Sequence, residues 1–118
     1  GSSIPLQFDP TGNIHSGGHC QFAVSYDGGA TFVVLQTVIH TCFVDSNRLN
    51  FNIPLPATAP TSDKVVFAWS WNNAVGNREQ YSNCWDARVD GMNTGGYIVG
   101  PKLLLANYGP SSPYIPEF

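Results

Sequence analysis

Glu79 and Tyr81 stand two residues apart in the run N-R-E-Q-Y-S-N-C-W, and a period of two places them on one face of a strand. A carboxylate beside a phenol can hold or pass a proton, or orient a polar ligand. The plainer account is a hydrogen-bonded tyrosine next to a carboxylate at the rim. His15 and His19 are four apart around the Gly17-Gly18 pair, and imidazole is a common metal ligand. Loop histidines without a ligand role are the plainer account there too. His40 falls at the end of an expected strand, where solvent exposure explains it. No C-x-x-C pair is present, which argues against a structural zinc site.

Strands must position these groups. Val65, Phe67, Trp69 and Trp71 alternate with Val66, Ala68 and Ser70, so both faces are apolar and the strand is expected at the centre of a sheet. Asn72 to Asn77 reads as a loop around Gly76, and the next strand starts near Glu79. Upstream, strands are expected over 4–8, 20–26, 31–41 and 49–55, with Asp27-Gly28-Gly29 as a hairpin turn. Residues 25–32, S-Y-D-G-G-A-T-F, fit the Asp-box pattern S-x-D-x-G-x-T-[WF], a structural turn that carries no chemistry. One more strand is expected from Tyr97 to Leu105. About seven short strands at regular spacing indicate an all-β, immunoglobulin- or fibronectin-III-like antiparallel sandwich over residues 4–108. Residues 109–118, rich in Pro and Ser, are expected to lie extended along the surface.

Composition bounds the function. At 118 residues there is room for one core. Five basic against eight acidic residues, a net charge of −3, disfavour nucleic acid as a partner, since phosphate neutralisation needs a positive surface. No apolar run is long enough to span a bilayer. Gly1-Ser2-Ser3 reads as a cloning scar or a trimmed leader. Cys20 and Cys42 flank the expected hairpin and could staple its strands, for roughly 3 kcal/mol if oxidised, which points to a secreted, extracellular chain. Cys84 is then unpaired: a free thiol, or a link between two copies. Three reduced cysteines in a cytosolic chain are the alternative.

Three segments together resemble fungal lytic polysaccharide monooxygenases, most nearly the chitin-active type and its relatives. They are N-I-H-S-G-G-H-C-Q-F (13–22), S-Y-D-G-G-A-T-F (25–32) and A-W-S-W-N-N-A-V-G-N-R-E-Q-Y-S-N-C (68–84). The resemblance runs in order from about Ile4 to Tyr108. It implies an immunoglobulin-like core and one copper ion in a histidine brace, formed by an N-terminal His, a second His and an axial Tyr. Carried over, His15 resembles the second brace His and Tyr81 the axial Tyr. Glu79 resembles the carboxylate beside it, with Arg78 in the surrounding shell. The first brace His has no counterpart, because the chain opens on Gly1.

The expectation that follows is a secreted domain truncated at its N-terminus and non-catalytic as it stands, without a cofactor of its own. Copper is implied where an N-terminal His segment is supplied. Polysaccharide (chitin or glucan) is the expected partner, met by stacking on Trp71, Trp85 or Tyr26. Two alternatives are a fragment of an active copper-dependent monooxygenase, and an interaction module or dimer using an exposed sheet edge or Cys84.

Overall fold

The computed structural model describes residues 1–10 and 12–118. Among the described residues there are six strands: β1 (Ser2–Gln7), β2 (Gly18–Ser25), β3 (Val33–Val38), β4 (Asn50–Leu55), β5 (Ser62–Asn73) and β6 (Gln80–Val89). They form two antiparallel sheets, one of two strands in the order β1-β4 and one of four in the order β3-β2-β5-β6. The fold is an all-β sandwich, as expected, and β5 lies in the interior of the larger sheet with β2 and β6 on either side.

The register explains which face of β5 meets the core. Trp71 sits opposite both Cys20 and Tyr81, Trp69 opposite Phe22, and Phe67 opposite Val24 and Trp85. Opposed residues share a face, so this row of large side chains is turned toward β1 and β4. There Cys20, Phe22 and Trp71 pack with Phe43, Leu49 and Ile53, and Ile4, Leu6 and Phe8 close the layer. A second cluster, Val24, Ala59, Val65, Phe67 and Val89, fills the other end. The opposite face of β5 carries Ala68, Ser70 and Asn72, all buried. It is crossed by the chain around 104–106: Gln21 Oε1 accepts the Leu104 N–H at 2.9 Å, and Gln80 Oε1 accepts the Ala106 N–H at 2.8 Å.

The segment 97–105 is not a strand. It meets β3 at one antiparallel bridge, Val33 to Lys102, and by the Val34 N–H donated to Pro101 O at 2.8 Å. Pro101 has no N–H to return, and a ladder cannot extend through it. β5 runs two residues further than expected, because Asn72 and Asn73 still pair with His19 and Gly18. The Cys20–Cys42 disulfide is present with a Cα–Cα distance of 5.8 Å, both residues fully buried, and Cys84 is an exposed free thiol on β6. The Asp-box turn is built as its sequence suggests. Ser25 Oγ donates to Asp27 Oδ1 at 2.6 Å and accepts the Gly29 N–H, while Asp27 takes the Thr31 N–H and hydroxyl at 2.9 and 2.5 Å.

Candidate functional site

The turn before β2 presents His15. Asn13 Oδ1 accepts the His15 N–H at 3.0 Å, and Gly17 N–H closes on Ile14 O at 3.0 Å. His15 and Ser16 adopt left-handed φ values of 48° and 58°. Two bonds tie this turn to the end of β5: Ala74 N–H to Gly17 O at 2.8 Å, and Val75 N–H to His15 O at 3.3 Å. Gly18 enters β2 packed on the carbonyl of Asn72 and the indole nitrogen of Trp71; a Cβ there would occupy their space.

From β6, Tyr81 reaches the same place. Its hydroxyl lies 3.4 Å from His15 Nε2, and the two rings are stacked at 6.0 Å. Trp71 lies behind both, with ring centroids 5.6 Å from His15 and 4.9 Å from Tyr81. The Tyr81 hydroxyl donates to Glu79 Oε2. That bond, then burial, then the carboxylate charge hold the phenol pKa above its ordinary value of 10. His15, Tyr81 and Glu79, all partly exposed, are therefore brought together as the sequence suggested.

Other residues singled out in the sequence lie elsewhere. Arg78 does not turn to this trio. Its Nε and Nη2 donate to Gly76 O at 3.1 and 2.9 Å, and its Nη1 donates to Asn73 O and Ile115 O at 3.0 and 3.4 Å. A guanidinium beside two carbonyls of a tight loop and one of the C-terminal segment is used up in fastening them together. His19 belongs to β2 and is engaged on its own account: its Nδ1 accepts the His40 N–H at 3.0 Å, and its ring stacks on Phe118 at 4.1 Å. Burial and then the neighbouring His40 hold its pKa below 6.5. His40, although exposed, also meets His19 and Phe118 edge-on.

The aromatic residues expected to stack on sugar are corrected in part. Trp71 is 5% exposed and is core, because its face of β5 is the one covered by the second sheet. Trp85 is half-buried with its ring on Phe67 at 5.8 Å, and Tyr26 is half-buried with its hydroxyl donating to Pro60 O at 2.9 Å. The rings that do stand free are Tyr97, Tyr108 and Tyr114, the last two 67% and 70% exposed. Sequence pattern gave no sign of them; Tyr108 and Tyr114 flank a turn that Asn107 closes by pinning residues 113 and 115.

A bound copper ion needs donors, and the geometry tests how far these residues supply them. His15 Nε2 and the Tyr81 oxygen converge from two elements, and would supply such a site with one nitrogen and one oxygen. Among the described residues no group of three His, Cys, Asp or Glu gathers around them. No family model matches the chain. Among curated proteins, AA11 family lytic polysaccharide monooxygenase A of Aspergillus fumigatus is 40% identical over 99 residues, 80% of this chain and 43% of that protein. AA11 family lytic polysaccharide monooxygenase of Aspergillus oryzae is 30% identical over 111 residues, 80% of this chain and 25% of that protein. AA11 family lytic polysaccharide monooxygenase B of Aspergillus fumigatus is 33% identical over 100 residues, 71% and 23% of the two. The chain thus spans less than half the length of these relatives.

Proposed function

This chain is a relative of AA11 family lytic polysaccharide monooxygenases over most of its length, and from that premise we propose that it forms part of a secreted copper-dependent polysaccharide oxidase core. In this reading His15 and Tyr81 would hold copper, and Glu79 accepts the hydrogen bond of the phenol. The observation that carries it is the convergence of His15 Nε2 and the Tyr81 hydroxyl, with Glu79 accepting from the latter. Copper, when bound, supplies the one-electron chemistry that activates oxygen or peroxide. The residues here do the rest of the work. Trp71 gives both rings an apolar wall on one side, and their polar atoms meet each other beside it. A phenol is neutral at pH 7, and the Glu79 bond raises its pKa further, so Tyr81 would offer a bound metal a weak, neutral oxygen donor.

One imidazole and one phenol do not make a tight copper site, which calls for two or three nitrogens. The 118-residue chain by itself therefore binds copper(II) weakly and does not oxidise chitin or glucan. Chitin-type polymers remain the expected partner, and the free faces of Tyr108 and Tyr114 offer apolar surfaces for their sugar rings. Calorimetry with copper(II), then incubation with chitin or cellulose and a reductant, tests this. The expected result is weak binding that His15→Ala abolishes, with no oxidised oligosaccharides. Submicromolar affinity with oxidised products would overturn the weak-site reading. Binding that His15→Ala leaves unchanged would overturn the assignment of the ligand.

A further inference from the structure

Residues 115–118 lie as a strap across the loop that ends β5. Phe118 N–H donates to Ala74 O at 3.1 Å, and Glu117 Oε1 accepts the Gly76 N–H at 3.0 Å. Ile115 O accepts from Arg78 Nη1 at 3.4 Å and from Asn107 Nδ2 at 3.1 Å. The Phe118 ring lies flat on His19, 9° from parallel, with His40 at right angles beside both. Beneath the strap is Gly76, at φ 105°. Its two backbone polar groups are both held, the N–H by Glu117 and the carbonyl by Arg78. A Cβ added there would stand 3.2 Å from His15 Nδ1, so the backbone at Gly76 lies beside the Nδ1 edge of the imidazole with little space left between them.

We propose that Glu117 is a positioning residue for His15: by fixing Gly76 against the Nδ1 edge, the strap keeps Nε2 turned toward Tyr81. An imidazole on a turn can rotate about its last torsion, and a neighbour on each edge removes that freedom. Gly76 supplies the barrier on one edge and Tyr81 the partner on the other. The value of this to a metal rests on the reading of His15 as a copper ligand, but the ordering of the ring does not.

The test uses the metal-free chain, with Glu117→Ala and Glu117→Gln compared with the parent by NMR. Glu117 is exposed, so both variants are expected to fold. In Glu117→Ala, exchange of the Gly76 amide is expected to quicken about tenfold, the worth of one charge-assisted hydrogen bond. The cross-relaxation between the His15 ring and Tyr81 should weaken with it. Glu117→Gln, whose amide oxygen still accepts, should restore the ring contact. Unchanged Gly76 exchange in Glu117→Ala, or faster exchange with the His15–Tyr81 contact intact, would overturn the proposal. Copper added to the same samples separates the two readings: a ring that follows Glu117 while copper leaves His15 unaffected upholds the strap and rejects the ligand.

Discussion

Gly76 meets two demands at one residue, a positive φ and the lack of a Cβ that would crowd the His15 imidazole. Gly76→Ala is expected to cost about 1–3 kcal/mol from backbone strain alone and to shift the His15 ring signals, as read by urea unfolding and NMR. Tyr81 offers a pH test. Its phenol pKa is raised in the folded chain, so the stabilisation it gives is fully present below 10 and is lost as pH rises through the folded value. The stability difference between parent and Tyr81→Phe should hold constant between about pH 7 and 9 and shrink above about pH 10. A difference that grows with alkali would contradict the Glu79 bond as its source. The trio itself was legible in the sequence, because period two set Glu79 beside Tyr81 and the motif around His15 resembled a ligand turn. The role of Arg78 was not, because the carbonyls it binds include Ile115, and nothing in local spacing foretells that approach.

Strands were legible where alternation was strong and illegible where only edges decided the matter. β5 and β6 announced themselves by their aromatic residues. The stretch 97–105 has strand-like composition, yet Pro101 limits its pairing with β3 to one bridge. Which face of β5 was core could not be read either, since both faces are apolar; the second sheet settled it and took Trp71 inside. The β2–β3 turn carries its own test. Hydrogen bonds from Ser25 and then Thr31 lower the Asp27 pKa from 3.8 to about 2. A depressed carboxylate stabilises above its unfolded value, and that contribution disappears as pH falls from 3.8 toward 2. Slow exchange of the Thr31 amide should therefore persist at pH 4 and fail near pH 2, and Asp27→Ala should abolish it at every pH.

The molecule as a whole is held by a two-sheet core with one covalent bond through it. Reduction of Cys20–Cys42 should cost about 3 kcal/mol, measured as a drop in the denaturation midpoint, because the bond closes the β2–β3 hairpin. Thiol titration of the native chain should find one reactive group, Cys84, without denaturant; none or three would contradict the observed pairing. The same bond has an analytical consequence. No lysine or arginine occurs before Arg48, so trypsin leaves both bridged cysteines in one peptide, and the bond shows there only as two missing hydrogens. Cleavage before Asp27 and Asp45 instead puts Cys20 and Cys42 on separate peptides, which then run as a linked pair until a reductant parts them.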